Sequence, residues 1–156
     1  AIVEEDHILE QVSLPLGTGR VIAETGLANP CPPYALKAAE NYIRRRLQEC
    51  SLKHQAKTAI ISGGVGRGLW RALHPDGEKH IAKYELQYLQ KAVLGLSTDR
   101  ISSRFGVKAK RAGTMLPGSL VYLALMEHFG VEECIISEFG VREGAILEMA
   151  TGGIQF

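Results

Sequence analysis

The chain has 156 residues, a length that suits one domain with its own hydrophobic core. Apolar residues make up 46% of the sequence and charged residues 22%, as in an ordinary globular protein. The formal net charge of +1 gives no overall field that would attract nucleic acid or a membrane surface. No apolar run reaches the ~20 residues of a membrane-spanning helix, and no signal peptide is recognised.

The cysteines and histidines do not follow the patterns of disulfide or metal frameworks. The three cysteines, Cys31, Cys50 and Cys134, are far apart and odd in number, and no Cys-x-x-Cys pair occurs. A disulfide framework is therefore not expected, and a reducing cytoplasm is the predicted location. The closest histidines, His74 and His80, have a spacing that fits no common zinc template, so no metal site is predicted.

The N-terminal region predicts a β-hairpin. Residues 1–5 and 8–14 have extended patterns, and the chain is expected to turn between them near Asp6. A Pro-Leu-Gly-Thr-Gly run at residues 15–19 ends the second strand. The chain starts in mid-strand sequence without an initiator Met, which indicates a domain excised from a longer protein.

Helical spacing is the commonest pattern after the hairpin. Pro33 is a favoured first residue of a helix, and Arg44 to Arg46 are expected on the solvated face of that helix. Ser97 is a predicted cap of a short helix that ends near Gly106. A turn is expected at Leu116-Pro117-Gly118. Further helices are predicted at residues 69–73, 83–94, 119–129 and 141–150.

Two short apolar runs, residues 58–62 and 134–137, predict buried strands. Strands that alternate with helices predict one α/β domain over residues 1–156, with a mixed sheet flanked by helices. Residues 8–14 are expected to join both runs in this sheet. The core is expected to contain Leu36, Ile43, Leu47, Ile60, Ile61, Leu123, Ile135, Ile136 and Ile146.

The strongest candidate site follows the first of these strands, because ligands gather at the carboxyl ends of strands in open α/β sheets. Gly63 and Gly64 let backbone N–H groups approach an anion, and the following helix adds a favourable dipole. Arg67 adds positive charge. The run is neither a Walker motif nor a Gly-x-Gly-x-x-Gly fingerprint, so a tight turn without a ligand is the alternative.

Two further segments have charged residues near predicted helix starts. Arg142 opposes the dipole of the last helix and needs a partner, either a buried carboxylate or a ligand phosphate. We expect Arg142 to be largely buried and paired with a carboxylate or with backbone carbonyls near the strand ends. Glu143 is favoured by the same dipole. Arg111 and Gly118 belong to a segment that is expected to open a helix toward a cleft, or else to form an ordinary loop-to-helix junction.

No catalytic residue is predicted from the sequence alone. The chain has no recognisable nucleophile elbow, Ser-His-Asp set, zinc-binding His-Glu-x-x-His helix or acid–base carboxylate pair. Its residues therefore predict an anion-binding α/β domain without a complete active site.

Four segments, in the same order, resemble the exopolyphosphatase/guanosine-pentaphosphate phosphatase (Ppx/GppA) family. Residues 13–21 resemble its Ser-Phe-Pro-Leu-Gly-x-x-Arg-Leu segment, and residues 63–69 resemble its Gly-Gly-Thr-x-Arg-Ala-Leu loop. Residues 110–120 resemble its Arg-Ala-Asp-x-x-Leu-Pro-Gly-Ala-Leu segment. Residues 137–144 resemble its Ser-Asp-x-Gly-Leu-Arg-Glu-Gly signature, so the resemblance covers nearly the whole chain.

The resemblance implies an actin-like ATPase fold of the acetate kinase/Hsp70/actin superfamily, which is RNase H-like and has two lobes around a substrate cleft. Bacterial members release terminal phosphate from polyphosphate or guanosine pentaphosphate (pppGpp), a stringent-response alarmone, with a divalent metal, usually Mg²⁺. The chain would be the second, C-terminal lobe, because the match begins just after the family's Asp-x-Gly-Gly-Gly-Ser turn. The implied partners are the absent first lobe and the substrate, and the parent protein is expected to be a homodimer.

The chain departs from the family pattern at two places. Val65 stands where the family usually has Thr or Ser, and Gly113-Thr114 replaces the usual Ala-Asp, so a hydroxyl and a carboxylate are absent. The resemblance places the water-activating glutamate in the first lobe, so the isolated chain is expected to be inactive and to bind no metal. The alternatives are a non-catalytic module that senses polyphosphate or an alarmone, and a kinase lobe of the same superfamily.

Overall fold

A computed structural model describes residues 1–5 and 7–152 of the chain. The chain begins with a hairpin of strands β1 (Ile2–Glu4) and β2 (His7–Glu10), which pair antiparallel. The predicted hairpin is thereby confirmed, although its expected turn at Asp6 lies outside the described residues.

The hairpin forms a sheet of its own, so the prediction that residues 8–14 join the central sheet is wrong. Strand β2 ends at Glu10, whose carboxylate accepts hydrogen bonds from the backbone N–H groups of Lys53 and His54 at 2.9 and 3.0 Å. The hairpin is therefore tied to the loop that precedes the central sheet.

The central sheet has three strands in the order β3, β5, β4. Strand β3 (Ala59–Ile61) runs parallel to β5 (Glu133–Ile136), and β4 (His80–Ala82) runs antiparallel to it. The predicted mixed sheet is confirmed, with both apolar runs in adjacent strands. Strand β4 escapes sequence prediction because three residues carry almost no periodicity and the pairing depends on a distant segment.

Helices form most of the remaining described chain. Helix α6 is the longest and runs through the middle of the domain, where it packs against α1 to α5. The helices are α1 (Thr18–Thr25), α2 (Pro33–Gln48), α3 (Gly64–Leu73), α4 (Lys83–Val93), α5 (Thr98–Phe105), α6 (Ala109–Phe129) and α7 (Val141–Ala150).

Several helix boundaries follow local chemistry. Helix α2 begins at Pro33, and the Ser97 hydroxyl accepts a hydrogen bond from the Arg100 N–H at 3.4 Å, which caps α5 as predicted. The predicted turn at Leu116-Pro117-Gly118 is wrong, because α6 continues through Pro117. Proline lacks the N–H that would bind the carbonyl four residues earlier, and burial of this segment outweighs that loss.

The core lies between α6, its neighbouring helices and one face of the sheet. Fully buried side chains such as Ile43, Leu86 and Leu116 each contribute roughly 1.5–3 kcal/mol through removal of apolar surface from water. Among the predicted core residues, Leu36 is half-buried. The predicted residues found buried are Ile43, Leu47, Ile61, Leu123 and Ile136.

Three predicted core residues are exposed instead. Ile60 and Ile135 lie opposite each other in neighbouring strands and are 72% and 46% exposed, because the helices cover only the other face of the sheet. Ile146 is 66% exposed on α7, a helix without buried residues. The apolar spacing is present on these faces, but no element within the described residues covers them, so the prediction that these three residues belong to the core is wrong.

No helix in the described part of the chain combines the length and the apolar character needed to cross a membrane.

Candidate functional site

The candidate site is built where β3 turns into α3. Gly63 ends the turn with φ of +98°, a conformation that side-chain-bearing residues rarely adopt. Helix α3 then starts at Gly64, five residues before the predicted start. The N–H groups of the first helical turn have no acceptor within the helix, and Gly63 has no side chain to cap them. The turn therefore presents backbone donors and the positive end of the helix dipole.

Two glycines let α3 approach its neighbours closely. A Cβ atom added at Gly66 would collide with Cγ2 of Ile61 on β3. A Cβ atom added at Gly118 would lie 2.7 Å from Cγ1 of Val65, so Gly118 is the contact point between α6 and α3. Gly118 lies inside α6, so the predicted helix start there is wrong and its role is close packing.

Arg67 connects two of the predicted motifs. Its Nη1 donates a hydrogen bond of 2.6 Å to the carbonyl oxygen of Glu138, in the loop after β5. The backbone N–H of Ser137 in the same loop donates to the carbonyl of Ile61 at 2.8 Å. Residues 63–68 and residues 137–144 therefore meet at the carboxyl ends of two parallel strands, where the sequence pattern predicts a ligand site.

Arg111 connects the third motif to the same turn. Its Nη1 donates a hydrogen bond to the carbonyl oxygen of Gly64, and its side chain lies along α3 beside Gly64 and Gly68. The Arg111 side chain is exposed, so its remaining guanidinium donors face solvent beside the first turn of α3. The arrangement places two guanidinium groups, Arg67 and Arg111, against one helix N-terminus.

The fourth motif, residues 13–21, lies beside the site at the start of α1. An apolar cavity of about 350 Å³ is lined by Gly17 and Thr18 together with Val65 and Gly118. Helix α1 escapes sequence prediction because the Pro-Leu-Gly-Thr-Gly run indicates a break. The buried Val21 and the exposed Arg20 are the amphipathic signal that identifies it.

Positive charge surrounds the loop after β5. Lys79 Nζ lies 2.5 Å from Glu138 Oε2, and this interaction lowers the pKa of Glu138, with smaller effects of Arg71 and Arg67. Sequence patterns did not identify Lys79 as a residue near the site. Lys79 lies in the loop before β4, a strand that those patterns did not predict. Glu138 is therefore held as a carboxylate by neighbouring cations rather than available as a proton carrier.

Arg142 and Glu143 have different roles from each other. The prediction that Arg142 is buried and paired is wrong: its side chain is exposed, and it makes no hydrogen bond or ion pair within residues 1–5 and 7–152. Glu143 Oε2 accepts a hydrogen bond of 2.7 Å from the Gly140 N–H. Backbone hydrogen bonds at Glu143 itself and Gly140 lower the pKa of this carboxyl, so Glu143 caps α7.

The donor set does not fit a magnesium ion. Within the described residues, no group of three His, Cys, Asp or Glu side chains comes together. The two carboxylates nearest the site, Glu138 and Glu143, already bind Lys79 and the Gly140 N–H. Mg²⁺ requires several oxygen ligands in octahedral geometry, so we derive no metal-dependent step from this chain.

The geometry supports anion binding and provides no general base. Backbone N–H groups of α3, together with Arg67 and Arg111, can neutralise a negatively charged oxygen. No carboxylate or imidazole in the described site is free to take a proton from water.

Comparisons with known proteins identify the family of the chain. The model of the Ppx/GppA phosphatase family matches residues 1–152. An uncharacterized protein of Streptomyces coelicolor is 25% identical in an alignment of length 153, which covers 90% of this chain and 46% of that protein.

Solved structures show the same fold. A Ppx/GppA phosphatase of Aquifex aeolicus superposes with a TM-score of 0.84 at 20% identity, over 94% of this chain and 51% of that one. An exopolyphosphatase of Cytophaga hutchinsonii gives 0.80 at 15% identity, over 95% and 52%. The chain spans about half the length of these relatives, which fits the C-terminal lobe of an actin-like ATPase fold. The chain belongs to the Ppx/GppA phosphatase family.

Proposed function

We propose that this chain forms one wall of a phosphohydrolase cleft, in which the start of α3 holds the phosphate chain of polyphosphate or pppGpp. The observation that carries the proposal is the convergence of Arg67 and Arg111 on the uncapped first turn of α3. Family membership and the exopolyphosphatase among the structural neighbours support phosphoanhydrides as substrates.

The chain's own residues would bind and orient the substrate. N–H groups in the first turn of α3 would donate to terminal phosphate oxygens, and Arg67 would neutralise negative charge that increases during cleavage. Arg67 is held beside the turn by its hydrogen bond to the Glu138 carbonyl. The attacking water would be activated by a group in a first lobe, which together with this chain would close the cleft. Magnesium, where required, would be held outside the described residues.

A second candidate is a module that binds polyphosphate or an alarmone without cleaving it. Two positions that carry polar groups in the family contribute none to the site in this chain. Val65 is packed against Gly118, and the Thr114 hydroxyl donates a hydrogen bond of 2.9 Å to the Arg111 carbonyl within α6. Binding without cleavage needs only the donors around α3, which this chain retains.

Titration of the chain with tripolyphosphate, followed by backbone amide chemical shifts, tests the binding wall. We expect shifts concentrated at residues 63–68, with a dissociation constant on the order of 1 mM, because only one wall of the cleft is present. Arg67→Ala should weaken binding about tenfold, the value of one charge-assisted hydrogen bond. Arg45→Ala, on the exposed face of α2, is the matched control and should leave binding unchanged. Shifts confined to α2 or α7 would contradict the proposed site.

An assay of the full-length parent protein distinguishes the two candidate functions. Phosphate release from polyphosphate or pppGpp by the full-length protein supports hydrolysis. Binding of either compound without release supports the sensor.

A further inference from the structure

Two carboxylates lie near the guanidinium of Arg67, and each is bound to another group. The pKa of Glu138 is lowered mainly by Lys79, with a smaller contribution from Arg67. The pKa of Glu143 is lowered mainly by backbone hydrogen bonds, and the charge of Arg67 again contributes. Glu143 binds the Gly140 N–H, and Glu138 Oε2 lies 2.5 Å from Lys79 Nζ. Within the described part of the chain, neither carboxylate forms an ion pair with Arg67.

The backbone on both sides of Lys79 is held by neighbouring elements. The Lys79 carbonyl accepts a hydrogen bond of 2.7 Å from the Ile136 N–H at the end of β5. The preceding carbonyl, that of Glu78, accepts one of 2.8 Å from Nε1 of the buried Trp70 on α3. Lys79 therefore stands at a fixed point beside the loop that contains Glu138, although its own side chain is 53% exposed.

The Glu138 carboxylate has a second cation close by, which is Arg67. Arg67 Nη1 already donates to the backbone carbonyl of Glu138 at 2.6 Å, so the guanidinium lies beside the residue that carries the carboxylate. The Glu138 side chain is 43% exposed and has space to change rotamer. Arginine and carboxylate groups form strong and often bidentate ion pairs. Without a competing cation, the carboxylate would bind Arg67 and occupy donors that a phosphate needs.

We propose that Lys79 is a positioning residue of the anion site: it holds the Glu138 carboxylate away from Arg67 and so keeps the Arg67 guanidinium available to a phosphate. An exposed lysine–glutamate pair contributes little to stability, so the main effect of this pair is on the distribution of charge. Glu138 is an internal competitor of the ligand, and Lys79 removes the competition. This role of Lys79 rests on the proposed anion binding at the start of α3.

Tripolyphosphate titrations of substituted chains test this role. Lys79→Met should weaken binding about tenfold, as Arg67→Ala does, because a guanidinium bound to Glu138 is lost to the ligand. Lys79→Arg should keep the wild-type affinity, since arginine also binds the carboxylate. Adding Glu138→Gln to Lys79→Met should restore the affinity to within about twofold of wild type, because the internal competitor is gone.

Two comparisons separate this role from a general effect of positive charge. In the Arg67→Ala background, Lys79→Met should cause no further loss of affinity, because Lys79 acts through Arg67. Lys83→Met is the matched control and should leave binding unchanged. Lys83 Nζ lies 3.3 Å from Glu132 Oε1, and this ion pair is at the opposite end of the same two strands. A further loss in the Arg67→Ala background would contradict the role of Lys79.

A crystal structure of Lys79→Met decides the question without a ligand. We expect a carboxylate oxygen of Glu138 within hydrogen-bond distance of the Arg67 guanidinium. A carboxylate that stays away from Arg67 would overturn the proposed role, and so would wild-type affinity of Lys79→Met for tripolyphosphate. If the wild-type chain bound no tripolyphosphate, the proposed function would fail instead, and the position of Glu138 in the variant would still decide whether Lys79 holds it away from Arg67.

Discussion

Nη1 of Arg67 donates a hydrogen bond of 2.6 Å to the carbonyl oxygen of Glu138, and this contact joins the two glycine-bearing loops of the site. The loops follow parallel neighbours β3 and β5, so their proximity results from strand pairing, and the arginine fixes their spacing. Because the arginine binds a carbonyl rather than a carboxylate, its charge is not neutralised by that partner. The same group can therefore hold the loop and attract a phosphate.

The close packing of α3 on β3 predicts the effect of a single methyl group at Gly66. Gly66→Ala should lower the free energy of unfolding by about 1–2 kcal/mol, because the collision with Ile61 outweighs the ~1 kcal/mol that alanine gains in a helix. The measurement is urea denaturation followed by circular dichroism. Gly113→Ala in α6 is the control: its added Cβ has no neighbour within 4 Å, so stability should rise by about 0.5–1 kcal/mol. Equal effects at both positions would contradict the packing argument.

Sequence patterns predicted the parts of the fold that depend on local chemistry. The glycine turn after β3, the start of α2 at Pro33 and the Ser97 cap all follow from the residues that form them. The partner of Arg67 could not be predicted, because Glu138 is 71 residues away and contributes a backbone carbonyl that carries no sequence signal.

Several of the wrong predictions share one physical cause. Periodicity identifies an apolar face but not whether another element covers it, so Ile60, Ile135 and Ile146 have core-like spacing although each is exposed. Pro117 indicates a turn locally, yet burial keeps it inside α6. In each case, tertiary contacts rather than local preference determine the outcome.

Because Arg142 is exposed, its replacement should cost much less stability than the loss of a buried, paired arginine would. Arg142→Ala should change the free energy of unfolding by less than about 0.5 kcal/mol, the usual value for an exposed residue without a structural contact. Chemical denaturation is the measurement, and Arg67→Ala provides a comparison that removes an observed hydrogen bond. A loss of several kcal/mol in Arg142→Ala would mean that Arg142 is buried.

The Glu10 carboxylate should make stability depend on pH in the acid range. Hydrogen bonds from the His54 backbone and side chain, and from the Lys53 N–H, lower the pKa of Glu10 from 4.5 to about 2. The unfolded state therefore binds the proton first, so the stabilisation is complete above about pH 4.5 and declines toward pH 2. Glu10→Gln should flatten the pH dependence of the urea midpoint in this window. Glu4→Gln, an exposed carboxylate on β1, is the control and should keep the wild-type slope.

Thiol reactivity should differ among the three cysteines. Burial, with a smaller effect of Glu133, raises the pKa of Cys134 to about 11, so almost none of it is thiolate at neutral pH. Iodoacetamide at pH 7.5 should therefore modify Cys50, which is half-buried, well before Cys134. Mass spectrometry of tryptic peptides gives the order. Complete denaturation should remove the difference, and faster modification of Cys134 in the native chain would contradict its placement in the core.

The isolated chain should release no phosphate from polyphosphate or pppGpp. Its described site offers backbone donors and two arginines, but Glu138 and Glu143 are engaged elsewhere and no general base faces the start of α3. Electrostatic stabilisation without a positioned water supplies only part of the reduction in activation free energy. The assay compares phosphate release, with magnesium present, by this chain and by the full-length parent at equal concentration. Arg67→Ala in the parent should lower kcat/KM about tenfold, which would tie this wall to the reaction. Turnover by the isolated chain comparable to that of the parent would show that the catalytic residues lie within the 156 residues.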